Sequence, residues 1–195
     1  MASEHYSSVD PVLYPNGVTS GSGGSAMSWS AIMAGTVGAI ALTLTLLALG
    51  SAFGLASVSP WPGMGAKADT FSVGAGVWLI VTQWLAAALG GYVAGRTRTR
   101  WQGLHTDEVF FRDTVHGFMA WATATVVVAA VGVSAAALSN IGAAPVDLDT
   151  SREAIDAARK VAATVAGFTA LSLLVGAFIG GVGGAVGGRL RDRHP

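Results

Sequence analysis

The 195-residue chain is 52% hydrophobic and only 11% charged, and its mean hydropathy is +0.56. A soluble domain usually carries roughly 25% charged residues, so this chain has too few to cover a globule with polar surface. Its 11 basic and 11 acidic residues cancel, which leaves no basic field for nucleic acid, and the lack of cysteine excludes disulfides and thiolate chemistry. The composition predicts an integral membrane protein.

The charged residues fall into five short patches separated by four long uncharged stretches. A membrane-spanning helix needs about 20 mostly apolar residues, because the hydrocarbon core is ~30 Å thick. The stretches show neither the polar face of a soluble helix nor the alternation of a β-barrel strand. We predict an all-α integral membrane fold with a flexible cytoplasmic tail (1–27) and a transmembrane domain (28–192), whose four spans lie at about 29–52, 73–95, 115–138 and 161–187.

The first predicted span follows a Gly/Ser-rich stretch, Gly17–Ser28, which is typical of a flexible tail. No basic region precedes this span, and it is too long for the apolar core of a secretory signal. We expect it to act as an uncleaved anchor.

The basic residues predict the orientation of the spans. With four spans, both termini share a side with the loop between spans two and three, and that side carries seven of the 11 basic residues. Positive residues favour the cytoplasmic face, so we predict that both termini are cytoplasmic. The arginines that follow spans two and four are expected to contact anionic lipid head groups. They are Arg96, Arg98, Arg100, Arg189, Arg191 and Arg193.

The ends of spans two and four resemble each other. GGYVAGRTRTR (90–100) and GGAVGGRLRDR (183–193) agree at seven of eleven positions at an offset of 93, and Trp29 and Trp121 lie at an offset of 92. This pattern predicts two parallel-repeat hairpins related by a pseudo-twofold axis along the membrane normal. The alternative is convergence, since arginine commonly follows glycine-rich span ends.

Glycines recur every four residues in the fourth span and in pairs elsewhere. Such spacing forms a groove that another helix backbone can approach closely. The groove predicts tight packing within the chain, or against a second copy or a partner subunit, whereas a glycine-lined pore would have few groups to select ions. The candidate packing residues are Gly50, Gly54, Gly91, Gly95, Gly176, Gly180, Gly184 and Gly188.

Two polar side chains within the predicted spans could form an intramembrane site. His116 lies near the start of span three and Gln83 near the middle of span two. Ionisable groups in a bilayer point to function, and a buried glutamine needs a hydrogen-bonding partner. Gln83 is therefore either structural or part of a ligand or permeation site. The spans lack a mid-depth relay of acids or histidines, which disfavours a proton-coupled transporter.

The segment before and at the start of the third span holds several potential metal ligands: His105, Asp107, Glu108, Asp113 and His116. Their spacing matches no compact metal motif. Asp107 and Glu108 suit the first turn of a helix, and Glu108 can pair with Arg112 at i,i+4, so an interfacial helix is the simpler interpretation. Walker, GxSxG and HExxH motifs are absent, and we predict no metal, no cofactor and no catalytic residue.

Four segments carry a family resemblance: SWSAIMAG (28–35), GAGVWLIVTQWLAAALGGYVAGR (74–96), DTVHGFMAWATAT (113–125) and GGRLRD (187–192). Together they resemble the "PhnA-like" group of four-span proteobacterial inner-membrane proteins. The resemblance implies a bacterial inner-membrane location and names no activity. Nothing in the chain is similar to a phosphonate hydrolase or a zinc ribbon.

These observations favour a structural or accessory membrane protein that packs through small-residue helix faces, as a homo-oligomer or as a subunit of a larger membrane complex. Its expected partners are the lipid bilayer and itself or other membrane subunits. The alternative is a channel or small-solute facilitator with a path near the pseudo-twofold axis. A third hypothesis, an enzyme acting on lipid head groups through the segment 105–116, has no recognisable catalytic motif.

Overall fold

The computed structural model describes residues 27–57, 65, 68–100, 105–139 and 152–193. Over these residues it consists of four α-helices: α1 (Trp29–Ser57), α2 (Ala68–Thr97), α3 (Thr106–Ser139) and α4 (Arg152–Arg193). Each helix is long and apolar enough to cross a membrane, which confirms the all-α fold with four potential spans. The predicted tail, apart from Met27, lies outside the described residues.

The helices extend beyond the predicted apolar spans. Both α3 and α4 begin nine residues before the spans predicted at 115 and 161, so their charged segments continue directly into apolar helix. The first turn of α3 carries Asp107 and Glu108, which complement the positive end of the helix dipole. The expected pair is present, with Arg112 Nε 2.6 Å from Glu108 Oε1.

The helices alternate in direction. The first turns of α1 and α3 lie at the same end of the bundle as the last turns of α2 and α4, as the bonds Ser28–His116, Arg98–Asp113 and Arg191–Gly95 require. We call this end the arginine end and the opposite one the far end. α2 packs most extensively against α4, and both α2 and α3 contact all other helices. Within the described residues α1 does not contact α4, so these two helices lie on opposite sides of the α2–α3 pair.

The protein interior lies towards the arginine end. Buried residues of α1 lie between Ala31 and Ala39, and those of α3 lie between Asp113 and Ala124. The buried apolar residues are alanines apart from Ile32. Lipid tails are as apolar as the side chains, so the hydrophobic effect does not hold the helices together in a bilayer. Small side chains let the helix backbones approach closely, and the resulting van der Waals contacts stabilise the bundle. No described residue is buried beyond Ala39 in α1 or beyond Ala124 in α3.

Candidate functional site

Three helices meet at two glycines of α4, Gly180 and Gly184. A Cβ atom at Gly91 of α2 would overlap the carbonyl oxygen of Gly180, and one at Gly95 would overlap that of Gly184. A Cβ atom at Gly117 of α3 would also overlap the Gly180 carbonyl oxygen. Backbones therefore touch where the sequence predicted packing glycines, and these contacts are made within the chain.

The predicted glycines of α1 accommodate aromatic rings of α2. A Cβ atom at Gly50 would overlap the indole of Trp78, whose Nε1 donates to the carbonyl oxygen of Leu46 at 2.9 Å. Gly54 faces the ring of Phe71, which would lie 3.4 Å from an added Cβ. These contacts join α1 to α2 at the far end.

A buried ion cluster joins α2, α3 and α4 at the arginine end. Arg98 Nε donates to Asp113 Oδ1, and both side chains are almost completely inaccessible to solvent. Arg191 Nη1 lies 4.0 Å from the same carboxylate oxygen and donates to the carbonyl oxygen of Gly95 at 3.1 Å. Burial weakens screening, so the carboxylate compensates charges that would otherwise be costly to desolvate.

Glycine makes room for this cluster. A Cβ atom at Gly188 would overlap the carboxyl group of Asp113. Arg98 and Arg191, which align at the offset of 93, approach the same carboxylate from α2 and α4. The guanidinium of Arg191 also binds the neighbouring carboxylate of Asp192 at 2.8 and 3.0 Å. The cluster therefore fixes the ends of both helices to the start of α3.

His116 joins α3 to the start of α1. Its side chain is fully buried, its Nδ1 lies 2.6 Å from the carbonyl oxygen of Arg112, and its Nε2 accepts from the backbone N–H of Ser28 at 2.8 Å. A carbonyl oxygen can only accept, so Nδ1 carries the proton and the ring is neutral. Ser28 directly precedes α1, so this bond satisfies a donor at the helix N-terminus. The predicted intramembrane residue thus has a structural partner.

Gln83 lies in a polar contact among α2, α3 and α4. Its Nε2 lies 3.4 Å from Thr125 Oγ1. Gly176 provides the space, since a Cβ there would lie 2.5 Å from Trp121 Nε1 and 2.9 Å from Gln83 Nε2. Within the described chain, Trp121 Nε1 and the hydroxyl of the buried Thr82 have no hydrogen-bonding partner.

The six predicted head-group arginines differ in exposure. Arg98 and Arg191 are buried in the ion cluster, and Arg96 is half-buried. The other three, Arg100, Arg189 and Arg193, are exposed. Contact with lipid head groups stays a prediction, and only the exposed guanidinium groups have the access that it requires.

The potential metal ligands are not brought together. His105, Asp107 and Glu108 are exposed, whereas Asp113 and His116 are buried in separate structural bonds. In the described parts of the chain, no group of three or more such side chains could hold a metal ion.

The structural role of Asp113 is not among the sequence predictions, although the sequence carries a signal for it. Asp113 is followed after three, four, seven and eleven residues by His116, Gly117, Ala120 and Ala124, and all five are buried. This spacing places them on one helix face. A carboxylate in register with a small-residue face needs a cationic partner from a neighbouring helix.

Small residues are also exposed, in the far halves of α3 and α4. No described atom lies within 4 Å of a Cβ built at Gly132 or Gly167. A shallow groove of about 250 Å³ runs along α4 at Ala163, Thr164 and Gly167. Bulky side chains are exposed at the far end as well, both on these two helices and on α1.

No protein-family model, curated protein or solved structure matches the chain. The resemblance to the PhnA-like group therefore stays a prediction that depends on the four segments quoted above.

Proposed function

We propose that the chain is a structural or accessory integral membrane protein that packs, through small-residue helix faces, against a second copy or a larger membrane complex. The observation that carries the proposal is the exposed far half of α3 and α4, around Gly132 and Gly167. Helix interfaces in membranes are enriched in small residues, because these let backbones approach.

The glycines that already contact another helix of the chain are distinct from those that we assign to partner binding. Gly91, Gly95 and Gly117 are occupied by α4, so they are not available to a partner. The unoccupied face at the far end is the surface that we assign to partner binding. We assign no catalytic step, because Asp113 and His116 are engaged in bonds between helices.

We further propose a bacterial inner-membrane location with both termini cytoplasmic. The arginines in and just after the last turns of α2 and α4 lie at the arginine end, and positive residues favour the cytoplasmic face. We also propose that the two hairpins arose by duplication, as the offset of 93 between the ends of α2 and α4 suggests.

The test is the assembly state of the protein after extraction in a mild detergent. Native mass spectrometry should find more than one copy of the chain, or the chain with a partner subunit. Substituting Gly132→Leu and Gly167→Leu should fill the exposed face and shift the mass to the single chain.

The matched control is Gly74→Leu. Gly74 is an exposed glycine on α2 with no described atom near its Cβ position, and it lies outside the proposed partner face. This variant should keep the wild-type assembly. A wild-type protein that is strictly monomeric and carries no bound subunit would contradict the proposal.

A second candidate function is a facilitator for a small polar solute. The polar contact of Gln83 with Thr125 supports it, together with the indole N–H of Trp121 and the hydroxyl of Thr82, which lack partners among the described residues. Flux into proteoliposomes tests it. Transport above that of empty vesicles, lost in Gln83→Leu, is expected, and equal flux with and without protein would refute the idea.

A further inference from the structure

A groove of about 510 Å³ runs between α3 and α4 on the outer surface of the bundle. Phe110 and Phe118 line it from α3, Phe178 and Val182 line it from α4, and Arg189 closes one end. The remaining lining residues are apolar or glycine apart from Thr114, whose hydroxyl donates to the carbonyl oxygen of Phe110 at 2.9 Å. The groove therefore combines an apolar length with one cationic end.

Arg189 is positioned by an aromatic ring and keeps its charge available. Its guanidinium carbon lies 4.9 Å from the ring centroid of Phe110, within the range of a cation–π interaction. The side chain is exposed, and no carboxylate of the described residues pairs with it. Arg98 and Arg112, in contrast, are paired with Asp113 and Glu108.

The dimensions of the groove fit one leaflet of a bilayer. Along α4, Arg189 lies eleven residues after Phe178, a rise of about 16 Å or roughly half of the ~30 Å hydrocarbon core. The side chains of Phe118, Phe178 and Val182 are exposed, so the groove is open sideways to lipid. An acyl chain that lies in it would bring its phosphate to the level of Arg189.

We propose that this groove binds one anionic phospholipid, with an acyl chain between α3 and α4 and the phosphate at Arg189. The apolar part of the groove would contact the acyl chain of such a lipid, and the guanidinium at its end would contact the phosphate. This is a single site of defined stoichiometry, unlike diffuse contact between surface arginines and head groups. It is independent of the partner face proposed above, which lies at the far end.

The test is native mass spectrometry of the full chain in mild detergent, titrated with phosphatidylglycerol or with zwitterionic phosphatidylcholine. One phosphatidylglycerol per chain should be retained, with an affinity roughly fivefold above that of phosphatidylcholine. Equal retention of the two lipids would overturn the proposal.

Two variants and a matched control locate the site. Arg189→Gln should abolish the preference for the anionic lipid, and Val182→Trp should fill the groove and reduce the retention of both lipids. Arg193→Gln removes an exposed arginine of the same helix outside the groove and should keep the preference. If Arg193→Gln has the same effect as Arg189→Gln, the attraction is diffuse and the proposal fails.

Photocrosslinking to the wild-type protein locates the bound lipid without any substitution. Phosphatidylglycerol with a photoreactive acyl chain should crosslink to Phe118, Phe178 or their neighbours in the groove. Crosslinks confined to α1, or a groove that is occupied by a second copy of the chain, would also overturn the proposal.

Discussion

Single side chains at the arginine end determine how α2, α3 and α4 meet. Asp113 is the carboxylate towards which the buried guanidinium groups of Arg98 and Arg191 point. The Glu108–Arg112 pair is predictable from the sequence, since both residues are on one helix at i,i+4. The Arg98–Asp113 pair is not, because it depends on how two helices align across the bundle.

Asp113→Asn should lower the free energy of unfolding by about 3–5 kcal/mol. It leaves the buried guanidinium of Arg98 without its compensating charge, and removing one partner of a buried ion pair costs this much. Thermal unfolding in detergent measures the loss. The control, Glu108→Gln, removes a carboxylate from an exposed pair and should cost less than about 1 kcal/mol. Similar losses for the two variants would contradict the assigned role of the cluster.

His116→Leu should increase local unfolding at the start of α1. Leucine fills similar space but has no acceptor, so the backbone N–H of Ser28 loses its bond at a cost of about 1–3 kcal/mol. Hydrogen exchange at the first turn of α1 should accelerate, while α4 changes little. His105→Leu, at an exposed position, is the control and should leave the exchange of α1 unchanged. Unchanged protection in His116→Leu would mean that the Ser28–His116 bond contributes little.

At the scale of helices, glycine spacing identifies which faces pack but not which helix they meet. The four-residue repeat of α4 pointed to a contact face, yet Gly180 and Gly184 meet α2 and α3 at once. Spacing along one helix contains no information on the register between helices. The segment of α3 that precedes its apolar span was predicted as helical, because acidic residues in a first turn and i,i+4 pairs are local signals.

Gly184→Ala should destabilise the bundle by about 1–3 kcal/mol, the usual cost of overpacking. Its Cβ would lie 2.8 Å from the backbone nitrogen of Gly117 and would overlap the carbonyl oxygen of Asp113, and neither atom can rotate away. Gly74→Ala is the control, since the added methyl meets no described atom and alanine is the better helix former. Its midpoint of thermal unfolding should be unchanged or higher. Equal midpoints for Gly184→Ala and the wild type would show that α4 can shift to accept the methyl.

At the scale of the whole molecule, the charge distribution predicts the orientation in the membrane. The composition alone was sufficient to predict an all-α membrane protein, because four uncharged stretches of sufficient length are visible in the sequence. The concentration of buried residues at the arginine end was not predictable. Apolar side chains continue along the whole of each span, and hydropathy does not distinguish contact with protein from contact with lipid.

Single-cysteine labelling tests the orientation, since the natural chain contains no cysteine. Asp107→Cys, at the exposed start of α3, should react with an impermeant thiol reagent only after the inner membrane is opened. Glu153→Cys, at the exposed start of α4, should react in intact spheroplasts. The parent chain should give no signal. The reverse pattern would place the arginine end outside the cell.

The length of α4 determines the bilayer thickness that suits the protein. Its uncharged residues 161–188 rise about 42 Å, well beyond a hydrocarbon core of ~30 Å. A helix with such an excess inclines or thickens the lipid around it. Because the glycine contacts hold α2 against α4 backbone to backbone, the two helices must incline together. The bundle as a unit should therefore favour thicker bilayers, and its angle to the membrane normal should increase as the lipid chains shorten.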